Sequence, residues 1–278
     1  MTTTTKPGLH ADLHATQERI AHGSGETMNV PGRTGGLVLK LGLGLGLAWA
    51  LLASTPLRAQ PSVAAAPGYE TMTPSADGIG KRFKGREIAQ VMGWQGAAWL
   101  ERQEREQEER TDLLLPELRL APGMSVADIG AGTGYIARRM ARLVGPSGAV
   151  YAVDVQPEMV RLLAESARRD GLPQIHPVLG RENDVALAPA SIDLAIMVDV
   201  YHELAFPREV LASIVRALKP GGRVVFVEYR AEDPAVAIKP LHKMSVAQVR
   251  AEADLPQLAF ERVVETLPMQ HIVVFRKR

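Results

Sequence analysis

The sequence predicts an α/β fold with a doubly wound, mostly parallel sheet that ends in an antiparallel hairpin. Three observations lead to this prediction. Apolar runs alternate with amphipathic helical patterns from residue 124 onward, a turn with three glycines follows the first run, and three residues join the last two runs. Alternating strands and helices are typical of a parallel sheet covered on both faces, whereas so short a final link permits an antiparallel hairpin and forbids a crossover.

The composition of the 278-residue chain is that of a globular protein with a substantial core. Hydrophobic residues make up 46% of the chain and the formal net charge is +1. This balance gives no electrostatic indication of a nucleic-acid partner, and none is expected. The chain has no cysteine, which excludes a disulfide framework, a thiolate metal site and a cysteine nucleophile.

The first 59 residues have the composition of a leader. Residues 1–32 lack apolar periodicity and are predicted to be disordered, with solvated histidines at His10, His14 and His22. Residues 33–59 place Arg33 and Lys40 before an apolar run that is short for a membrane span, which is the order of a secretory signal peptide. A periplasmic or exported protein is therefore expected. The alternatives are an inner-membrane anchor over 33–59, which would be the chain's membrane contact, and a cytoplasmic protein.

A linker and an N-terminal helical cap are predicted between this leader and the main domain. Residues 60–85 contain three prolines among small residues, which is typical of a linker. Residues 86–122 are predicted to be helical, because apolar residues recur at helical spacing over 86–100. The stretch 101–110 is almost wholly charged and is expected to be the solvated face of a helix.

Residues 123–278 form the predicted α/β domain. Strands are predicted at 124–129, 149–153, 175–179, 192–198 and 223–228, helices at 133–144, 158–169 and 208–218, and the hairpin at 261–267 and 271–276. The turn over 219–223 contains Pro220 and two glycines, which stop the preceding helix.

The turn after the first strand has the features of a ligand-binding loop. Asp128 lies on the strand, Gly130, Gly132 and Gly134 form the turn, and a helix begins near Thr133. Glycine allows positive φ and a close approach of the backbone to a ligand, and the first turn of a helix presents unpaired N–H groups. This loop is predicted to hold a polar, partly anionic small molecule.

The order Gly130-x-Gly132-x-Gly134 after Asp128 resembles motif I of the class I S-adenosylmethionine-dependent methyltransferases. It differs from the Gly-x-Gly-x-x-Gly fingerprint of dinucleotide-binding proteins. The resemblance implies a Rossmann-like, doubly wound, mostly parallel seven-stranded sheet and S-adenosyl-L-methionine as cofactor. It also implies that the loop binds this cofactor through Asp128, Gly130, Ala131, Gly132, Thr133 and Gly134.

Further cofactor contacts are expected where later strands end, because ligands of doubly wound sheets lie beyond the carboxyl ends of the strands. Asp154 closes the second strand, and the resemblance makes it the ribose-binding acid of motif II, with Val155 beside it. The resemblance also implies adenine binding by Asn183 or Asp184, and the sequence does not choose between them. An ordinary polar turn is the alternative interpretation of these two residues.

The fourth strand ends in a segment that resembles motif IV of small-molecule methyltransferases, and closely that of a bacterial group of unassigned substrate with an Asp-Val-Tyr-His motif. The resemblance implies that Asp199 lies near the cofactor and that Tyr201, His202 and Glu203 face the methyl acceptor. His202 is the candidate base, because its ordinary pKa near 6.5 suits proton removal at neutral pH. Positioning alone is the alternative, since a sulfonium methyl group is already activated. No residue spacing indicates a metal site, and no metal is expected.

The expected activity is methyl transfer from S-adenosyl-L-methionine to an O, N or C nucleophile, within EC 2.1.1. A small-molecule acceptor is expected, since the Asn/Asp-Pro-Pro-Tyr sequence of amino-methylating DNA enzymes is absent after the fourth strand. The predicted export is at odds with a cofactor made in the cytosol. A second hypothesis is therefore an exported, non-catalytic binding or scaffold protein built on the same fold. A third, a dehydrogenase, is disfavoured by the glycine spacing.

Overall fold

The computed structural model describes residues 68–278 of the chain. The predicted leader, the predicted signal peptide or anchor and the first residues of the predicted linker lie outside this range. Within it, no helix combines the length and the apolar character that a membrane crossing requires.

The described residues form two sheets and seven α-helices. The strands are β1 (Tyr69–Thr71), β2 (Gly78–Phe83), β3 (Arg86–Ala89), β4 (Ser125–Ile129), β5 (Ala149–Asp154), β6 (Ile175–Leu179), β7 (Ile192–Val198), β8 (Leu218–Arg230), β9 (Lys243–Met244), β10 (Leu258–Val264) and β11 (Gln270–Lys277). The helices are α1 (Ala97–Leu100), α2 (Arg105–Glu109), α3 (Thr111–Glu117), α4 (Tyr135–Val144), α5 (Pro157–Arg169), α6 (Pro207–Ala217) and α7 (Val246–Glu252). Short 3-10 turns lie at Trp94–Gly96, Tyr201–Glu203 and Pro240–His242.

The large sheet confirms the predicted fold class. Its strand order is β10-β11-β8-β7-β4-β5-β6, and the short β9 pairs with β8. The pairs among β4 to β8 are parallel, whereas β11 runs antiparallel to both β8 and β10. The hairpin is therefore present, but β10 begins and ends three residues before the predicted 261–267. Leu267, which the prediction assigned to the strand, is 2% exposed and packs into the core from the connection.

The core lies in two layers, one on each face of this sheet. Along β4, Val126 packs into one layer and Ala127 and Ile129 into the other, as the alternation of a strand requires. Met140 of α4 belongs to the first layer and Leu211 of α6 to the second. Full burial of such a side chain contributes about 1.5–3 kcal/mol. Both faces of the parallel strands are therefore covered, and their carboxyl ends form an edge at which a site can be built.

The segment before the α/β domain differs from its prediction. The predicted linker holds β1 and β2, and the predicted helix over 86–100 begins instead with β3, which completes a three-stranded antiparallel sheet. Its small core consists of Tyr69, Phe83 and Ile88. These strands are too short, and their apolar positions too few, for alternation to be visible in the sequence. Helical structure in the predicted cap is limited to the short helices α1, α2 and α3.

A buried ion pair attaches this small sheet to the α/β domain. Nε of Arg86 lies 2.7 Å from Oε1 of Glu252, and its NH2 group donates to Oε2 at 3.0 Å. Their side chains are 9% and 0% exposed. The NH1 group of Arg86 donates to the carbonyl oxygen of His202 at 2.9 Å. This arginine therefore fixes β3 beside the carboxyl edge of the large sheet.

Replacing Arg86 should destabilise the protein strongly. Arg86→Met leaves the buried Glu252 carboxylate without its cation, and we expect a loss of about 3–5 kcal/mol of unfolding free energy. Urea denaturation measures this difference. Arg82→Met is the matched control on the same sheet, because the partner of Arg82, Glu70, is 70% exposed and such a pair contributes at most about 1 kcal/mol. Equal losses in the two variants would contradict the role given to Arg86.

Candidate functional site

A cavity of about 390 Å³ lies at the carboxyl ends of β4, β5, β7 and β8. The loop after β3, the helices α1 and α2 and the segment 239–242 complete its wall. Ligands of doubly wound parallel sheets bind at this edge, and the volume lies within the range of small-molecule sites. The sequence placed the cofactor site at the same edge.

The glycine loop forms one side of the cavity in a conformation that favours glycine. Gly130 has φ +70° and Gly132 has φ +54°. A Cβ atom on Gly130 would lie 2.5 Å from Cγ1 of Val200, and one on Gly132 would lie 2.6 Å from Cδ1 of Leu100. The backbone N–H groups of Gly130 and Ala131 donate to the carbonyl of Val153 at 2.8 and 3.0 Å. Because Gly130 and Gly132 have no side chain, the loop packs closely against Val200 and Leu100 while its backbone lines the cavity.

Asp154 links this loop to the end of β5. Its Oδ2 accepts from the N–H group of Gly132 and its Oδ1 from that of Gln156, both at 2.9 Å. Burial raises the pKa of Asp154, and these two bonds oppose the shift. A carboxylate has about four acceptor positions, so two remain for a ligand in the cavity. Asp154 and the adjacent Val155 both line the cavity, and their contact with the cofactor stays a prediction.

Two residues assigned to the loop support it from outside the cavity. Thr133 donates from Oγ1 to Oε1 of Glu101 at 2.6 Å, and its carbonyl accepts from Oγ of Ser166 at 2.9 Å. Gly134, with φ +88°, precedes the first residue of α4. Neither lines the cavity, whereas Asp128, Gly130, Ala131 and Gly132 do. Direct cofactor contact by these two residues stays a prediction, and the hydroxyl and carbonyl groups of Thr133 are already bonded to Glu101 and Ser166.

Two carboxyl groups at the base of the cavity each have a buried oxygen with no hydrogen-bond partner among residues 68–278. They are Oδ2 of Asp128 and Oδ1 of Asp199. Oδ2 of Asp199 accepts from Nε2 of Gln270 at 2.7 Å, and Asp199 has φ +53° at the turn after β7. A buried polar atom without a partner costs free energy that a ligand can recover. The base of the cavity is therefore prepared for hydrogen-bond donors.

Burial sets the protonation of these two groups. It raises the pKa of Asp128 to about 7, and the Arg105 guanidinium opposes the shift. Burial also raises the pKa of Asp199 well above its ordinary value, and the nearby carboxyl groups of Glu109 and Glu228 raise it further. A cationic ligand would favour the ionised form of both groups.

Arg105 and Glu109 were expected on a solvated helix face, and this expectation is wrong. They are 6% and 3% exposed and line the cavity. Nε of Arg105 lies 2.9 Å from Oε2 of Glu109, and its NH1 group donates to the carbonyl of Leu100 at 2.8 Å. The charges are buried because α1 and α2 fold over the glycine loop. The i,i+4 spacing was visible in the sequence, but it occurs equally on exposed helices.

His202, Glu203 and His242 lie together on the cavity wall. Nδ1 of His202 lies 2.6 Å from Oε2 of Glu228, and its Nε2 lies 3.1 Å from Nδ1 of His242. Burial disfavours the charged ring of His202, but the Glu228 carboxylate outweighs it and raises the pKa of His202. His242 was expected to be solvated, yet its side chain is 13% exposed.

Tyr201 does not face the acceptor side of the cavity, contrary to the prediction. Its side chain is 0% exposed and packs edge-on against Phe226, with the ring centroids 4.9 Å apart. Its backbone N–H group donates to Oε1 of Glu228 at 2.9 Å. The 3-10 turn at Tyr201–Glu203 directs the apolar ring into the core and leaves the two polar side chains on the cavity.

Asn183 and Asp184, the candidates for adenine binding, do not line the cavity. Asn183 is exposed. Asp184 accepts from the N–H group of Ala186 at 2.7 Å and from the NH2 group of Arg216 at 2.8 Å. The alternative interpretation, a polar turn, therefore fits both residues. The neighbouring residues of this turn that reach the cavity are Arg181, Glu182 and Val185.

The family described as "Methyltransferase domain" matches residues 120–271, more than half of the chain. The chain belongs to this family. An arsenite methyltransferase of Halobacterium salinarum is 32% identical over 105 residues, which are 38% of this chain and 27% of that relative. A ubiquinone/menaquinone biosynthesis C-methyltransferase of Bordetella parapertussis is 32% identical over 108 residues, which are 39% of this chain and 42% of the relative. The chain thus spans less than half the length of these curated relatives.

A solved methyltransferase structure agrees with this assignment, and a second solved structure shows the same fold. A SAM-dependent methyltransferase from Aquifex aeolicus has a TM-score of 0.64 and 26% identity, over 68% of this chain and 100% of that one. The [4+2]-cyclase SpnF, with a TM-score of 0.53 and 18% identity over 60% of this chain and 79% of its own, shares the fold. The predicted resemblance to methyltransferases is confirmed at the level of the family.

The raised pKa of Asp128 predicts a pH dependence of stability. The folded pKa is about 7 and the ordinary value is 3.8. The unfolded chain therefore releases this proton first as the pH rises, and folding stability falls between these two values. Asp128→Asn has no such titrating proton, so its unfolding free energy should fall less steeply with pH than that of the wild type. The difference between the two slopes should reach up to about 1.4 kcal/mol per pH unit. Urea denaturation between about pH 4 and pH 7 measures both proteins, and parallel curves would contradict the assignment.

Proposed function

We propose that the chain binds S-adenosyl-L-methionine at the carboxyl edge of its large sheet and transfers the methyl group to a small-molecule nucleophile. One observation carries this proposal. The glycine loop, Asp154 and the unpartnered oxygens of Asp128 and Asp199 converge on one cavity. Membership of the methyltransferase family and the likeness to the Aquifex aeolicus enzyme support the choice of cofactor.

The charges of the cavity fit this cofactor, which carries an ammonium and a sulfonium group. Within the described part of the chain, seven acidic and three basic residues line the cavity: Asp77, Glu109, Asp128, Asp154, Glu182, Asp199 and Glu203 against Arg105, Arg181 and Lys239. Such an excess of carboxyl groups attracts a cation. The buried oxygens of Asp128 and Asp199 would accept from the ammonium group. The Arg105 guanidinium offers a cation to the carboxylate of the same ligand.

The remaining cofactor contacts follow from the same lining. Asp154 would hold the ribose hydroxyls with the acceptor positions that its two backbone bonds leave free. Met159 and Val185 supply apolar surface to the cavity and would contact the adenine ring. Gly130 and Gly132 allow the loop backbone to approach the cofactor closely, because glycine has no side chain. A larger residue at either position would also meet Val200 or Leu100.

The acceptor would lie against the wall formed by His202, Glu203 and His242. When bound, the cofactor supplies an electrophilic methyl group on a sulfonium centre. The chain then has to orient the acceptor and exclude water, and the segment 90–93 with α1 forms the wall that would cover the bound ligands. The role of His202 as a base stays a prediction. The two relatives described above are named for different acceptors, so their names indicate no single acceptor for this chain.

Calorimetric binding of S-adenosylhomocysteine to the full chain tests the cofactor site. We expect micromolar binding by the wild type, equivalent to about 8 kcal/mol. Asp154→Ala should weaken it by at least about tenfold, or 1.4 kcal/mol, because the variant loses the ribose acceptor and the bond that holds Gly132.

Asp193→Ala is the matched control for this experiment. Oδ2 of Asp193 also accepts from a backbone N–H group, that of Ser125 at 2.9 Å, but at the opposite edge of the sheet. Its affinity for S-adenosylhomocysteine should equal that of the wild type. A folded wild type that binds neither S-adenosylhomocysteine nor S-adenosyl-L-methionine would contradict the proposal and favour a non-catalytic binding or scaffold protein.

A further inference from the structure

Three side chains on the wall of the cavity bring ligating atoms together. They are Nε2 of His202, Nδ1 of His242 and Oε1 of Glu203, which lie within 4.8 Å of one another. The two nitrogens are 3.1 Å apart, and the carboxylate oxygen lies 3.4 Å from His242 and 3.8 Å from His202. The spacing of residues along the chain predicts no metal site, and it cannot indicate this cluster because the two histidines are separated by 40 positions.

The second nitrogen of each ring faces a carboxylate. Nδ1 of His202 contacts Glu228 at 2.6 Å, and Nε2 of His242 lies 3.0 Å from Oδ2 of Asp77. A carboxylate stabilises a proton on the nitrogen that it faces, so the other nitrogen of a neutral ring keeps its lone pair. The lone pairs of both rings and a Glu203 oxygen are then available on atoms that lie within 3.8 Å of one another. Metal-binding histidines commonly have this outer carboxylate partner.

The separations fit a metal ion. For three atoms at these separations, the equidistant point in their plane lies about 2.0 Å from each, within the range of Zn–N and Zn–O bonds. We propose that His202, Glu203 and His242 form a binding site for a divalent first-row transition metal ion. Two imidazoles and one carboxylate favour such an ion over Mg²⁺ or Ca²⁺, which prefer ligand sets made of oxygen.

The site is held in place before any metal binds. His202 is 2% exposed and is fixed by Glu228 on one side and by the Arg86 bond to its carbonyl on the other. Oε2 of Glu203 accepts from the N–H group of Met92 at 3.4 Å, which leaves Oε1 for the metal. Ligands that are already oriented lose little conformational freedom on binding, and the carboxylates around the site compensate the positive charge of the ion.

Three protein ligands leave at least one coordination position open, as in catalytic zinc sites. All three residues line the cavity, so an open position would be within reach of an acceptor bound there. An acceptor with a hydroxyl or thiol group would bind there through its oxygen or sulfur atom. This consequence rests on the proposed function, whereas the metal site itself does not.

Titration of the full, chelator-treated chain with Co²⁺ tests the site, since coordination by nitrogen and oxygen changes the visible spectrum of this ion. His10, His14 and His22 are replaced by alanine in every protein compared, so that they contribute no metal binding. The chain with these three replacements alone is the reference that is called the wild type in this titration. We expect one Co²⁺ per chain, displaced by Zn²⁺. His242→Ala should weaken binding by at least about tenfold, because loss of an outer partner alone typically costs 10–100-fold.

Two further variants make the result specific. Glu203→Gln keeps the size of the side chain and should also weaken Co²⁺ binding. His176→Ala is the matched control, because His176 is exposed on β6 and lies outside the cluster, and it should bind as the wild type does. Thermal unfolding confirms that each variant is folded. Absence of one stoichiometric Co²⁺ in the wild type, or equal affinity in His242→Ala and the wild type, would overturn the site.

Binding of S-adenosylhomocysteine to the same wild-type sample separates this inference from the proposed function. Metal binding without S-adenosylhomocysteine binding would overturn the cofactor assignment and leave the metal site. Binding of S-adenosylhomocysteine without Co²⁺ would overturn the metal site and leave the cofactor assignment.

Discussion

The site depends on the desolvation of carboxyl groups at the carboxyl ends of neighbouring parallel strands. Asp128, Asp154, Asp199 and Glu228 all lie at this edge, and each is removed from water to a large extent. A buried carboxylate requires donors or a cation. Backbone N–H groups supply the donors for Asp154, and the turn with His202 supplies them for Glu228. The oxygens of Asp128 and Asp199 without partners among the described residues are the acceptors that we propose for the ammonium group of the cofactor.

The segment before the α/β domain supplies cations to further buried carboxyl groups near this edge of the sheet. Arg86 pairs with the buried Glu252 and holds the carbonyl of His202, which positions the wall of the cavity. Arg105 brings a cation to the base and pairs there with Glu109. Folding of this segment over the sheet therefore completes one wall of the cavity and compensates part of its negative charge. What is left is an anionic space, which suits a cationic cofactor and, on the wall with His242, a metal ion.

The sequence predicts the central sheet well because buried parallel strands are continuous apolar runs separated by turn residues. It also places Asp128, Asp154, His202 and Glu203 on the cavity, since each follows or ends a predicted strand. Three differences between the sequence predictions and the structure have a common cause. Long-range contacts decide that Tyr201 enters the core, that Arg105 is buried and that His242 reaches His202, and spacing along the chain carries no record of them.

The short strands β1, β2 and β3 were missed for a different reason, because their small core offers too few apolar positions to show a period. Asn183 and Asp184 illustrate a further limit, since the same residue types serve polar turns and adenine contacts alike. The predicted signal peptide or anchor over 33–59, the disordered leader and the exported location stay predictions, because residues 1–67 lie outside the described range.

A crystal structure of the full chain grown with S-adenosylhomocysteine tests the central claim most directly. The account predicts ligand density in the cavity at the carboxyl edge, with the ribose hydroxyls on Asp154 and the ammonium group within hydrogen-bond distance of Asp128 or Asp199. Density at another surface, or a well-ordered cavity that holds only water at saturating ligand, would contradict it.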